Sequence, residues 1–138
     1  MEYKKVMVPV VGTEADTEAV KLACRLARKD KGKVLAISVV TVKRALPLDA
    51  EIDSEIRNAE EVLDGMENTA EEEDYEVETD VLQAREVGPA IVDEAVERGV
   101  DLILMGVKYK RHFGQFNVGN VVPYVLKNAP CPVLLYQE

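Results

Sequence analysis

Val6-Met7-Val8-Pro9-Val10-Val11 is a continuous apolar run that ends at Gly12, and it decides the fold. An unbroken apolar run of this length is typical of a strand buried on both faces, as in a parallel sheet covered by helices. The next segment, 13–29, repeats apolar residues at helical spacing, and Thr13 with Asp16 forms a capping-box pattern at its start. The beginning of the chain therefore predicts a β-α unit.

The same alternation continues to the end of the chain. Further apolar runs occupy 33–42, 102–105 and 133–136, and helical patterns occupy 51–73, 88–98 and 120–128. Residues 77–83 alternate between apolar and polar, which predicts a half-exposed strand at a sheet edge. The order β-α-β-α-β-α-β-α-β predicts an α/β fold, an open five-stranded parallel sheet with helices on both faces. We expect every strand to be parallel, and 107–118 to be an irregular loop.

Composition narrows the classes of function. The chain has 138 residues, 47% apolar and 31% charged, a balance typical of one globular domain spanning 1–138. The net charge of −9 disfavours nucleic acid and anionic membranes as partners, because proteins bind both mainly through Lys and Arg. Two cysteines and one histidine are too few for a disulfide framework or a His-rich metal site, so we expect no metal. No apolar run approaches the roughly 20 residues that span a bilayer, and the start lacks a signal-peptide pattern, which predicts a cytoplasmic protein.

The position of a ligand site follows from the fold class. In an open α/β sheet, ligands bind beyond the carboxyl ends of the strands, where the strand order reverses. Segments 10–13, 39–41 and 106–120 follow the first, second and fourth predicted strands, so we expect them to meet in one crevice. The candidate residues contributed by the strand ends are Pro9, Val10, Val11, Val39, Val40 and Met105.

The segment 106–120 carries the features of an anion site. Its glycines let the backbone approach an anion closely, and the helix that begins at Asn120 offers unpaired N–H groups with a favourable dipole. Three basic side chains lie within four positions of a chain whose net charge is −9, which indicates a phosphate-bearing ligand. Alternatively, the glycines serve only as a strand exit and a helix entry, and the basic residues are simply exposed. The candidate residues of this segment are Gly106, Lys108, Tyr109, Lys110, Arg111, Gly119, Asn120 and Val121.

Several segments resemble the universal stress protein family. They are Val6 to Val10 with Gly12-Thr13-Glu14, Gly88-Pro89-Ala90-Ile91, Gly99-Val100-Asp101, Leu102 to Gly106, Gly119-Asn120-Val121, and Val125 to Leu135. The resemblance covers essentially the whole chain, and its C-terminal part is the most specific. It implies an adenine nucleotide alpha hydrolase-like fold with strand order 3-2-1-4-5, an adenine-nucleotide ligand, and a homodimer paired through the last strand, here Val133 to Tyr136.

The sequence departs from the family pattern at three ligand-facing positions. Nucleotide-binding members carry Gly-x-x-Gly, nine residues, then Gly followed by Ser or Thr, whereas this chain reads Gly106, Tyr109, Gly119, Asn120. Val11 stands where the family has an acidic residue, so an acceptor for ribose hydroxyls is missing. Tyr109 places a bulky ring where a phosphate approaches, while Asn120 can still cap its helix. The resemblance therefore implies weak or altered binding of ATP or AMP.

The favoured function is a binding and regulatory module that takes a small anionic nucleotide. Two alternatives remain open: a dimeric interaction module without a nucleotide, and a cytoplasmic accessory domain of a membrane transporter. An enzyme is disfavoured because no Ser-His-Asp, Cys-His or paired-carboxylate pattern is present, and His112 is the only histidine. ATP hydrolysis would also need a carboxylate for Mg²⁺, which Val11 does not supply.

Overall fold

A computed structural model of the chain describes residues 2–108, 110–112, 115–117 and 120–137. The strands are β1 (Lys5–Pro9), β2 (Lys33–Thr41), β3 (Val77–Ala84), β4 (Leu102–Val107), β5 (Lys110–His112), β6 (Gln115–Asn117) and β7 (Val133–Gln137). The helices are α1 (Glu14–Lys29), α2 (Asp53–Glu72), α3 (Val87–Arg98) and α4 (Val121–Asn128). Each of the nine elements expected from the sequence is present.

The main sheet has five strands in the order β3-β2-β1-β4-β7, and all its pairings are parallel. This confirms the predicted order 3-2-1-4-5, with β1 central and β3 and β7 at the edges. The strand order reverses at β1, whose neighbours are β2 and β4. The fold class therefore predicts a ligand site at the carboxyl ends of these three strands.

The two faces of the sheet carry different helices. Val6, Val8 and Val10 pack with α1 and α2, whereas Met7 and Ile103 pack with α3 and α4. Successive residues of a strand point to opposite faces, so a strand covered on both sides must be apolar throughout. This burial explains the apolar run through Val10, although β1 itself ends at Pro9 and Val11 is exposed.

The expectation of an irregular loop at 107–118, with no antiparallel strand in the chain, is wrong. β5 and β6 pair antiparallel, with Lys110 opposite Asn117 and His112 opposite Gln115. Two residues separate these strands in the sequence. The sequence did not predict this hairpin because the segment is largely polar and basic and lacks the apolar alternation by which strands are recognised.

The predicted caps of α1, α3 and α4 lie at the expected residues, but one of the side chains makes no capping hydrogen bond, and α2 spans Asp53–Glu72 rather than 51–73. Thr13 and Asp16 form the capping box of α1, and Gly99 ends α3 with a φ of 65°. Asn120 lies at the N-cap of α4 but its side chain makes no capping hydrogen bond, so its predicted capping role is wrong. Its φ of −94° and ψ of −23° are helical, whereas a capping side chain requires an extended backbone. None of the helices within the described residues combines the length and apolar character that a membrane span requires.

Candidate functional site

The loop that follows β1 is held by hydrogen bonds to the carboxylate of a residue in α1. Asp16, in the first turn of α1, is only 2% exposed. Its Oδ2 accepts the backbone N–H of Val11 at 2.7 Å, of Gly12 at 2.8 Å and of Thr13 at 3.1 Å. Hydrogen bonds to an ionised acceptor are stronger than neutral ones, so this set fixes the loop firmly. The loop N–H groups are thus directed at Asp16 and are not offered to an external anion.

Two glycines at this end of the sheet are required by their surroundings. Gly12 has a φ of +103°, and a Cβ there would lie 3.1 Å from Cγ2 of Val62 in α2. A Cβ at Gly106 would lie 2.4 Å from the carbonyl oxygen of Ala15, so β4 passes directly against the first turn of α1. Gly106 lies within β4, and this close packing requires a glycine there whether or not a ligand binds.

A cavity of about 300 Å³ lies at the carboxyl end of β2, between the first loop and α2. It is lined by Val11, Ser38, Val39, Val40, Thr41, Glu55, Asn58, Ala59 and Val62. Three of the candidate residues, at positions 11, 39 and 40, therefore come together in one site. Its volume falls at the small end of the range for ligand pockets. We call this cavity the crevice.

The crevice combines apolar walls with a few polar groups. Val11 is 77% exposed and presents an apolar surface, whereas a carboxylate at this position could accept hydrogen bonds from the hydroxyls of a sugar. The polar groups come from β2, which contributes the hydroxyls of Ser38 and Thr41, and from α2. In α2, Asn58 can both donate and accept, and Glu55 accepts only. Sequence reasoning missed these residues because the helix 51–73 was examined only for its apolar stripe. Their signal is the helical spacing of positions 55, 58 and 62, which places them on one face.

The remaining strand-end candidates lie elsewhere. Val10 is 3% exposed and belongs to the core beneath α1 and α2, and Met105 is 6% exposed and belongs to the core beneath α3 and α4. Pro9 is half-buried at the end of β1. Asn120 and Val121 line a separate cavity of about 360 Å³ between the first turns of α3 and α4. These positions are therefore not gathered around the crevice as the sequence predicted.

The basic segment is only partly described. Lys108 follows β4 and is exposed, and Lys110 and Arg111 belong to β5. Tyr109, Gly119 and the side chains of Lys110 and Arg111 lie outside the described residues. The predicted phosphate contacts of this segment stay a prediction.

The sequence profile of the universal stress protein family matches residues 2–137. The chain belongs to the universal stress protein family. A universal stress protein of Methanocaldococcus jannaschii is 32% identical over 142 residues, which cover 99% of this chain and 83% of that protein. A putative universal stress protein of Staphylococcus haemolyticus is 28% identical over 143 residues, covering 98% and 85%.

Solved structures of universal stress proteins share the fold. UspA from Lactobacillus plantarum superposes with a TM-score of 0.77 at 24% identity and covers 99% of both chains. The protein from Archaeoglobus fulgidus in complex with dAMP gives 0.77 at 23% identity and covers 98% of both chains. A family protein from Arabidopsis thaliana with AMP bound gives 0.70 at 19% identity, covering 98% of this chain and 92% of that one.

The two thiols of this universal stress protein are packing residues. Cys24 is fully buried on α1, and burial raises its pKa to about 11. Cys131 is half-buried, and burial likewise raises its pKa. A thiol in this state is a poor nucleophile, since the thiolate is the reactive form. Within the described parts of the chain, no three His, Cys, Asp or Glu side chains are grouped to hold a metal ion.

Proposed function

We propose that the chain is a universal stress protein module that binds an adenine nucleotide weakly, with the nucleoside in the crevice. The observation that carries the proposal is the cavity at the carboxyl end of β2, where Val11, Val39 and Val40 meet. Apolar walls suit the faces of a base, and the end of a strand offers backbone groups to its edge. Relatives of the same fold have been solved with dAMP and with AMP, which supports this ligand class.

The affinity should be low because the first loop lacks an acceptor. Val11 has no side-chain oxygen to accept a hydrogen bond from a ribose hydroxyl, and the loop N–H groups already donate to Asp16. Loss of one hydrogen-bond partner costs on the order of 1–3 kcal/mol, or roughly one to two decades in affinity. Asn58, which lines the crevice, is the neutral group best suited to replace part of that contact.

Restoring the missing features tests the proposal. We expect Val11→Asp combined with Tyr109→Gly to tighten ATP binding at least tenfold in a calorimetric titration, and binding to weaken as salt rises. The matched control is Val96→Asp, which places a carboxylate at a 61%-exposed valine on α3, away from the crevice. If the double variant binds ATP no better than wild type, Val11 and Tyr109 are not what lowers the affinity of the crevice. The non-nucleotide interaction module is then preferred.

The state of assembly belongs to the same proposal. We infer a homodimer in which Val133 to Tyr136 of β7 pairs with the same strand of a second copy. β7 is an edge strand bonded only to β4 within the sheet, and its residues 133–136 remain half-buried. An apolar edge strand without a charge or proline is a template for pairing, and a two-fold axis closes it. Light scattering at micromolar concentration should give twice the chain mass, whereas a monomer would contradict the dimer.

A further inference from the structure

A second cavity adjoins the crevice on the side of β3. Its volume is about 470 Å³, and it lies between the end of β3 and the connection 42–52 that leads from β2 to α2. Thr41 and Glu55 line both cavities, so the two are neighbours. Its lining residues are Thr41, Val42, Lys43, Arg44, Leu46, Ile52, Glu55 and Arg85. We call it the basic cavity.

The wall of the basic cavity is held in place by hydrogen bonds. The N–H of Leu46 donates to the carbonyl of Lys43 at 2.9 Å and closes a turn. Gln83, near the end of β3, donates its Nε2 to the carbonyls of Leu48 at 3.1 Å and Ala50 at 2.8 Å. The connection between β2 and α2 is thus tied to the neighbouring strand at several points.

Arg85 is oriented by the same connection. Its Nη1 donates to the carbonyl of Val42 at 3.3 Å and to that of Lys43 at 2.6 Å. A guanidinium carries five N–H donors in a rigid fork, so most of them are not used by these bonds. Among the described residues, the hydrogen bonds of this side chain engage Nη1 alone. A fixed guanidinium with spare donors is suited to bind a phosphate through two parallel hydrogen bonds.

The charge of the basic cavity opposes that of the whole chain. Three cationic residues and one carboxylate line it, whereas the net charge of the chain is −9. Within the part of the chain that the structure describes, none of Lys43, Arg44 and Arg85 is in an ion pair. Converging cations whose charge is not neutralised by neighbouring acids favour an anionic ligand.

We propose that the basic cavity is a phosphate-binding site, separate from the basic segment 108–111. Arg85 supplies the oriented fork, while Lys43 and Arg44 supply charge at the rim. Glu55 stands between the basic cavity and the crevice and repels the anion. The site takes the phosphate of a small molecule, either as a free anion or as part of a ligand that extends into the crevice. Phosphate binding in the basic cavity does not depend on whether a nucleoside binds in the crevice.

A site-specific titration tests the inference. Inorganic pyrophosphate is added to the full chain while NMR follows the backbone amides of Lys43 and Arg44 and the Nε–H of Arg85. We expect saturable shifts at these groups. Lys43→Gln with Arg44→Gln should weaken the binding about tenfold, because two charged contacts are lost. Glu55→Gln should strengthen it several-fold, because a repulsive charge is removed.

A matched control separates local from global charge. Lys29→Gln with Arg57→Gln removes the same two charges from exposed positions that do not line the basic cavity, and should change the affinity less than twofold. Equal weakening in both double variants, or no saturable shift at Arg85, would overturn the site. Saturable shifts at Arg85 with pyrophosphate but none with AMP would support the phosphate site and count against the proposed nucleotide function. Chemical shifts caused by AMP at the crevice alone, with no response to pyrophosphate, would support the proposed nucleotide function and contradict the phosphate site.

Discussion

Replacing Asp16 should loosen the loop that follows β1. Its buried carboxylate oxygen accepts three backbone N–H groups, from Val11, Gly12 and Thr13, at 2.7, 2.8 and 3.1 Å. Asp16→Ala removes all three bonds, and the bond from Thr13 is one half of the capping box. Hydrogen bonds to charged groups contribute about 1.5–3 kcal/mol each, but their sum is an upper limit because Val11 and its neighbours can be rehydrated.

We therefore expect Asp16→Ala to lower the free energy of unfolding by about 2–4 kcal/mol, and Asp16→Asn by about 1–2 kcal/mol. Asparagine keeps an acceptor oxygen but loses the charge. For a domain of this size the larger loss is a substantial part of a total of about 5–15 kcal/mol. Urea unfolding followed by circular dichroism measures both.

The matched control is Asp93→Ala, at an exposed position on α3. It should change the stability by less than about 0.5 kcal/mol, as surface substitutions usually do. If Asp16→Ala is as harmless as the control, the carboxylate does not hold the loop. The account of the first loop as internally satisfied would then be wrong.

Three further results are expected. Gly106→Ala should destabilise the fold in urea by more than 1 kcal/mol, since its Cβ would lie 2.4 Å from the Ala15 carbonyl oxygen; near-neutrality would contradict the packing. Cys24, with its pKa raised to about 11 by burial, should resist iodoacetamide at pH 8 until the protein unfolds, and rapid native alkylation would count against its burial. Arg25→Gln should raise the pKa of Glu73 toward its ordinary value, because the hydrogen bond from Arg25 at 2.7 Å holds that pKa down; an unchanged NMR titration of Glu73 would show the pair is not formed in solution.

The main sheet could be predicted from the sequence because its signals are strong and local. Continuous apolar runs such as 6–11, separated by helical stripes, have few solutions other than a covered parallel sheet. The alternation of apolar and polar residues over 77–83 correctly predicted that β3 lies at an edge, because only one face of an edge strand needs to be apolar. The hairpin formed by β5 and β6 could not be predicted, because its sequence is largely polar and basic and lacks the apolar alternation by which strands are recognised.

The sequence predicted only some of the residues that line the candidate site. A cavity lies at the carboxyl end of β2, but Val10 and Met105 do not line it, because each is buried in the core on one face of the sheet. Asp16 carries a helix-cap pattern that gives no hint of its bonds to Val11 and Gly12. Arg85 was missed because its place beside Lys43 depends on the course of the connection between β2 and α2, which local patterns do not encode.

The proposed function requires the crevice at the end of β2 to receive the nucleoside of an adenine nucleotide. Chemical-shift mapping of the wild-type protein with AMP measures this binding residue by residue. We expect saturable shifts at Val39, Val40 and Thr41 of β2 and at the side-chain amide of Asn58, with a dissociation constant near millimolar. An absence of saturable shifts at these groups, or saturation only at the cavity of Asn120 and Val121, would contradict it.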